Sequence, residues 1–286
     1  MAKKVEDIIL EYLPSDKGLQ RTVAEAMNYS VLVGGKRIRP TMMREAYKLF
    51  GGEDQEIEPF MAAIEMIHSY SLVHDDLPCM DNDELRRGKP TTWKHYGEAM
   101  AVLAGDGLLT MAFETAAKAF SLSENPDRVG RCMGILASKA GLFGMLGGQS
   151  VDVEMTGKPL TRKQLMFIYK LKTGALLEAC LMIGAVLAGA DEEQVQTMER
   201  IASDIGTAFQ IRDDVLDVIS SEEELGKPIG SDEDNNKTTY VTFEGLEGAD
   251  LEVHRLSENA LELLATLPGD KGFFNSFVRK LEKRRN

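Results

Sequence analysis

Ile57-Glu-Pro-Phe60-Met61-Ala-Ala-Ile64-Glu-Met-Ile67-His68-Ser-Tyr70-Ser71-Leu-Val-His74-Asp75-Asp76-Leu-Pro78-Cys79-Met-Asp81 sets how the rest of this chain is read. Ile57, Phe60, Met61, Ile64 and Ile67 fall at i, i+3, i+4 spacing, the apolar stripe of an α-helix and not the alternation of a strand. The run ends in aspartates. A second apolar, helix-periodic run ends the same way, in Phe209-Gln210-Ile-Arg-Asp213-Asp214-Val-Leu-Asp217. Strand-like alternation is scarce elsewhere and no βαβ rhythm appears, so the fold class is all-α.

Helix signals recur along the whole chain. Thr161-Arg-Lys-Gln164 has the form of a capping box. Asn125-Pro126 places an N-cap before a proline at the first helical position. The periodicity predicts roughly ten helices, near 9–13, 18–33, 37–50, 55–76, 96–120, 126–150, 161–189, 191–219, 250–266 and 273–284. Breaks are expected at Gly51-Gly52, Gly88-Lys-Pro90, Gly157-Lys-Pro159, Gly226-Lys-Pro228, Gly245 to Gly248 and Pro268-Gly269. No linker-like composition divides the chain, so one domain over 1–286 is expected. The stretch 220–238 is long and polar, the character of a lid or binding loop.

Composition narrows the function. Of the 286 residues 43% are hydrophobic, enough for a substantial core. The formal net charge of −13 argues against a nucleic-acid surface, which needs a basic field. Cys79, Cys132 and Cys180 are odd in number and scattered, which suits reduced thiols in a cytoplasmic protein. No zinc-type cysteine spacing occurs. The N-terminus, Met1-Ala-Lys-Lys-Val-Glu-Asp, lacks an apolar signal core. Ala175 to Ala190 is too short for a bilayer span and carries Glu178, so it is expected as a buried helix and no transmembrane segment is expected.

The aspartates carry the chemistry. Asp213 and Asp217 stand four apart on one helix face with Asp214 beside them, and Gln210 and Gly206 lie on the same stripe. Carboxylates at a helix C-terminus oppose the helix dipole, so a bound cation explains them better than a solvated patch does. Asp75 and Asp81 are six apart, about 240° around an ideal helix. They meet only if the helix is interrupted, and Pro78 supplies the interruption. Such clusters suit Mg²⁺, which takes one or two carboxylates together with substrate phosphate oxygens. Cations follow each cluster: Arg86, Arg87 and Lys89 after the first, Lys227 and Lys237 after the second. Gly34-Gly35-Lys36-Arg37-Ile-Arg39-Pro40 adds a third basic group behind paired glycines that can expose backbone N–H groups to phosphate. Lys172, in Lys172-Thr173-Gly174, sits inside an otherwise apolar helix and is expected to face a polar cavity. His74-Asp75 has the form of a phosphohydrolase metal dyad, but His68, His95 and His254 do not complete that set.

Together these motifs resemble the trans-prenyltransferases, the head-to-tail isoprenyl diphosphate synthases. The resemblance runs from about Val31 to Tyr240. It rests on Gly34 to Pro40, His74 to Thr91, Gly148-Gln149, Lys172 to Ala175, Phe209 to Asp217 and Gly226 to Asp232, all in family order. The four residues between Asp76 and Asp81 are similar to the bacterial farnesyl diphosphate synthase type, shared with plant-type geranylgeranyl synthases. The resemblance implies a helical bundle around a central cavity, the isoprenoid synthase fold, and a homodimer. It implies a metal site for Mg²⁺, about three ions with substrate bound, with Asp75, Asp81 and Asp213 as ligands and Asp76, Asp214 and Asp217 supporting them. It assigns Arg86, Lys172, Lys227 and Lys237 to the allylic diphosphate, and Lys36, Arg39, His68 and Arg87 to isopentenyl diphosphate. It gives Lys172, Thr173 and Gln210 the catalytic task of stabilising an allylic carbocation.

The implied product is farnesyl diphosphate (C15), because in this family an aromatic residue at the position of Tyr70 goes with C15. Ser71, one turn before Asp75, is too small to block a growing chain. Geranylgeranyl diphosphate (C20) is the alternative product, and a non-catalytic partner subunit the alternative role. Such subunits tend to lose an aspartate motif, and both are intact here. A terpene cyclase would not need Lys36, Arg39 and Arg87. After Lys237 the family continues with a Leu-rich run, whereas Thr242-Phe243-Glu244 intervenes here. The C-terminal helix, ending Lys280-Leu-Glu-Lys-Arg-Arg285, matches least.

Overall fold

The computed structural model describes residues 3–219 and 238–284. Lys227, Lys237, the Gly226–Asp232 motif and most of the expected 220–238 loop lie outside them. The described chain forms two compact units, 1–47 with 53–134 and 48–52 with 135–286, and the division falls inside helices α3 and α7.

In the first unit, α1 (Val5–Glu11), α2 (Arg21–Leu32), α3 (Ile38–Leu49), α4 (Glu58–Asp75), α5 (Thr92–Tyr96) and α6 (Glu98–Ala117) precede α7 (Pro126–Ala140). Helix α4 is the core. The predicted stripe is buried, and Ala62, Ala63 and Met66 on its other faces are buried too. A helix apolar all round must be surrounded, and α4 packs on α6, α2 and α1. The only strands among the described residues, β1 (Leu85–Arg86) and β2 (Lys89–Pro90), pair antiparallel just after the first aspartate cluster. Helix α5 and this hairpin are absent from the periodic pattern because both are too short to show a period.

In the second unit, α8 (Met145–Glu154), α9 (Arg162–Ile168), α10 (Ala175–Ala188), α11 (Glu192–Ile219), α12 (Tyr240–Ala265) and α13 (Gly272–Glu282) follow. Helix α10 buries nearly every side chain, including Glu178, whose carboxylate accepts from Lys139. It packs on α11, which packs on α12. Length and hydropathy alone qualify Glu98–Ser121, Pro126–Glu154 and Arg162–Ala188 as possible membrane spans, but the last of these is largely interior.

The capping box is present, with the Gln164 amide donating to Thr161 Oγ1 at 3.3 Å and the Thr161 amide to Gln164 Oε1 at 2.9 Å. The Arg128 amide donates to Asn125 Oδ1 at 3.2 Å, the expected cap of α7. Four boundaries differ most from the sequence reading. The helix expected over 9–13 begins four residues earlier, as α1 (Val5–Glu11). The helix expected over 126–150 is two, because the chain breaks at Gly141–Gly144 and a side chain on Gly144 would collide with the Lys139 carbonyl. The helix expected from 250 begins at Tyr240 and is kinked at Gly245, whose φ is 69°. The run over 161–189 changes pitch: Tyr169–Gly174 is a π-helix between α9 and α10.

Candidate active site

In the first unit α4 ends at Asp75 and the chain doubles back over Pro78. The Met80 amide donates to the Leu77 carbonyl at 2.9 Å, and the Asp81 amide to the Asp75 carbonyl at 2.9 Å. This turn returns Asp81 to Asp75. The two neighbouring carboxylates have different surroundings. Asp75 is partly exposed. Asp76 is buried and accepts from Arg86 Nε at 2.8 Å. Burial raises the Asp76 pKa, although the guanidinium opposes the shift. Asp76 therefore fixes the chain behind Asp75.

Arg86 and Arg87 ride on the hairpin. Arg87 and Gly88 both have positive φ, 55° and 75°, as a two-residue type I′ turn requires. The Tyr29 hydroxyl donates to the Pro90 carbonyl at 2.6 Å, and Trp93 Nε1 to the Asp83 carbonyl at 2.8 Å, so α2 and α5 clamp the hairpin. The Arg87 guanidinium lies flush on Gly35, where a Cβ would stand 2.8 Å from its Nη1. Gly35 thus makes room for Arg87, a use of the paired glycines that the sequence did not suggest.

Of the three charges in Lys36-Arg37-Ile-Arg39, the middle one turns inward. Arg37 is buried and donates to Glu6 at 2.9 Å, Glu65 at 2.6 Å and the Val31 carbonyl at 2.8 Å. Lys36 and Arg39, the two that the resemblance assigns to isopentenyl diphosphate, flank it. Burial, and then the positive charges of Arg39, Arg87, Arg86 and Arg37, hold the His68 pKa well below the ordinary histidine range. His68 is therefore a neutral group among arginines. Ser71 donates its hydroxyl to the His68 carbonyl at 2.9 Å, and Tyr70 is buried against His74.

In the second unit Asp213 is the accessible carboxylate of the aspartate motif on α11, with Asp214 and Asp217 buried. Asp214 accepts from the Tyr169 hydroxyl and from the Tyr240 amide, the latter at 2.9 Å. It thereby ties the first residue of the π-helix to the first residue of α12. Each aspartate pair follows one plan: the first member is reachable and the second anchors the chain. Asp76 and Asp214, expected from the sequence as supporting members of the metal motifs, bond protein partners. Asp213 pairs with Arg284 at 2.6 Å, and that guanidinium lies over the Phe209 ring at 5.0 Å. The C-terminal end, the least matched segment in the sequence, thus reaches an acidic motif.

The π-helix carries Lys172 and Thr173. Lys172 Nζ meets Asp152 on α8 at 2.7 Å, and the Thr173 hydroxyl donates to Gln210 Oε1 at 2.9 Å. Two glycines let its neighbours approach. A Cβ on Gly148 of α8 would lie 2.2 Å from the Lys172 amide nitrogen, and one on Gly206 of α11 would lie 2.9 Å from the Gly174 Cα. Such wide turns within α-helices recur at functional sites. Asp152, Tyr169 and Arg284 were missed by the sequence reading. Asp152 had a signal, since it stands one turn beyond Gly148 on the same face of α8.

The donor set of the two motifs is carboxylate oxygen, which suits a hard cation. Among the described residues the tight ligand cluster lies elsewhere, at His254, Glu258 and Glu282, and Arg279 already bonds both glutamates. The motif aspartates form no such ready cage. They fit Mg²⁺ that shares its coordination with substrate phosphate.

Residues 20–265 match the polyprenyl synthetase family model. The chain belongs to the polyprenyl synthetase family. It is 46% identical over 245 residues to the farnesyl diphosphate synthase of Geobacillus stearothermophilus, covering 86% of this chain and 82% of that one. Among polyprenyl synthetase structures it is similar to geranylgeranyl pyrophosphate synthetase from Pyrococcus horikoshii Ot3, with TM-score 0.89, 30% identity and coverage of 98% and 95%. It is likewise similar to the geranyltransferase of Helicobacter pylori complexed with magnesium and isoprenyl diphosphate, with TM-score 0.82, 33% identity and coverage of 98% and 92%.

Proposed function

We infer that this polyprenyl synthetase condenses isopentenyl diphosphate head-to-tail with dimethylallyl or geranyl diphosphate and releases farnesyl diphosphate and diphosphate. The observation that carries the reading is that each acidic motif offers a reachable aspartate, Asp75 or Asp213, next to a buried one that anchors the chain. The family match over residues 20–265 spans both units, so we treat 1–286 as one catalytic domain. The sequence is consistent with a cytoplasmic enzyme.

Bound Mg²⁺ supplies charge neutralisation to the allylic diphosphate as it leaves. Asp75, Asp81 and Asp213 are the residues that would hold it. Asp76 and Asp214 keep the first two of these turns in place, and Asp217 lies buried one turn beyond Asp213. Arg86, Lys172, Lys227 and Lys237 bind the allylic diphosphate. Asp152 orients Lys172 through an ion pair at 2.7 Å. The carbonyls near Lys172 and Thr173, with the Gln210 side chain, direct their dipoles at the allylic cation. Lys36, Arg39 and Arg87, beside neutral His68, hold isopentenyl diphosphate so that its alkene attacks that cation. The departed diphosphate takes the proton as the new C–C bond is completed. Catalysis by such a site is chiefly positioning and preorganised electrostatics.

The two diphosphates use different cations. Arg87→Ala mainly raises KM for isopentenyl diphosphate, and Lys227→Ala mainly raises KM for the allylic substrate, as steady-state kinetics with each substrate varied will read. Equal effects on both constants contradict the assignment.

Tyr70 sets the C15 limit. Tyr70→Ala opens about one helical turn of depth, ~5.4 Å, and adds C20 to the product. The likeness to the Pyrococcus geranylgeranyl synthetase supports C20 as the second reading. Chromatography of wild-type and Tyr70→Ala products separates the two: mainly C20 from the wild type, or unchanged length in the variant, removes Tyr70 from this role.

We also propose a homodimer. Val102 and Leu103 on α6, and Leu142, Phe143 and Leu146 around the start of α8, are exposed apolar side chains of the kind that mark association faces. Sedimentation then gives about twice the 31.6 kDa chain mass, and a value of one chain mass contradicts the dimer.

A further inference from the structure

Tyr70 and His74 stand four apart on α4, on the face turned to α6. Their rings meet edge to face, centroids 5.9 Å apart at 73°. The His74 ring is held in turn by α6. Its Nε2–H donates to the Val102 carbonyl at 3.2 Å, and the ring lies directly on Gly105, where a Cβ would come within 2.0 Å of Nε2. Gly105 itself is buried within a helix whose backbone any residue could adopt. Glycine there costs about 1 kcal/mol of helix propensity relative to alanine, and the space it leaves is filled by one imidazole. His74 neighbours Asp75, and its Nε2 also lies 3.9 Å from Asp106 on α6.

We propose that His74 is a positioning residue for product length: seated on Gly105, it braces the Tyr70 ring. The inference rests on the reading of Tyr70 as the floor of the product pocket and extends it to α6. A floor ring resists a growing prenyl chain only if it cannot rotate away. Tyr70 is buried, and the His74 ring adds a second support to that packing. With His74 removed, or pushed off its seat by a methyl group on Gly105, that second support is lost while the rest of the Tyr70 surroundings stay.

The test compares the C20:C15 product ratio of wild type, Tyr70→Ala, His74→Ala, Gly105→Ala and the double variant His74→Ala/Gly105→Ala, with isopentenyl and dimethylallyl diphosphates and Mg²⁺. His74→Ala and Gly105→Ala should each raise the ratio by about five-fold, the scale of one lost edge-to-face ring contact. The double variant should match His74→Ala alone, because the glycine acts through the histidine. A merely structural role lowers turnover or Tm and leaves the ratio unchanged. His74→Ala creates no clash, so it reads the brace even if Gly105→Ala folds poorly. An unchanged ratio in both single variants, with Tyr70→Ala shifting to C20, overturns the brace and spares the floor. A double variant that exceeds His74→Ala overturns the coupling. Unchanged product length in Tyr70→Ala overturns the floor reading and the brace with it, and absence of any prenyl product overturns the assigned activity.

Discussion

Alanine at Asp75 or at Asp213 should lower turnover by at least about 10²-fold, the scale for removing one preorganised transition-state contact. Each is the reachable member of its pair. The helix ends around them have other anchors: Asp76 with Arg86 at the end of α4, and Asp214 with Tyr169 and Tyr240 at the end of α11, while Asp213→Ala also removes the ion pair with Arg284. The loss should therefore appear in turnover with little change in thermal unfolding. The variants Asp76→Ala and Asp214→Ala should behave differently, because each leaves buried donors without their acceptor and lowers Tm as well. Near-normal turnover in Asp75→Ala or Asp213→Ala, with the fold intact, removes that aspartate from the chemistry.

Gly148→Ala should be the most damaging small substitution in the second unit. On an ordinary helix surface the change gains about 1 kcal/mol of helix propensity. Here the new Cβ would stand 2.2 Å from the Lys172 amide nitrogen and 2.8 Å from the Leu171 carbonyl carbon. Both are backbone atoms and cannot rotate aside, so α8 must separate from the π-helix. Overpacking of this kind costs about 1–3 kcal/mol. The separation also shifts Lys172 and Thr173 against Gln210, and a misplacement of ~1 Å can cost about 10²-fold in rate. Thermal unfolding and turnover measured together check both effects. An unchanged or raised Tm with full activity would show that the π-helix is not held against α8.

Much of this was legible in the sequence because it depends on period. The stripe from Ile57 to Ile67 placed α4, and Thr161 with Gln164 placed the start of α9. The spacing of Asp75 and Asp81 around Pro78 required the turn that returns one to the other. What escaped depends on close approach. The π-helix adds no residue type of its own, and although Gly148 belongs to a family motif and Gly206 to the aspartate stripe, the close approach each allows shows only in the backbones beside them. Arg37 is chemically the same as Arg39; the resemblance passes over it, but its inward turn onto Glu6, Glu65 and the Val31 carbonyl shows only in the structure. The division of labour within Asp75-Asp76 and Asp213-Asp214 came only from the family resemblance; the groups that hold Asp76 and Asp214, which are Arg86, Tyr169 and the Tyr240 amide, were not legible.

The central claim is the condensation itself. Purified protein incubated with Mg²⁺, isopentenyl diphosphate and dimethylallyl diphosphate, followed by chromatography of the dephosphorylated products, tests it most directly. The account predicts mainly the C15 alcohol and no product when Mg²⁺ is chelated. Recovery of unchanged substrates with Mg²⁺ present would contradict it.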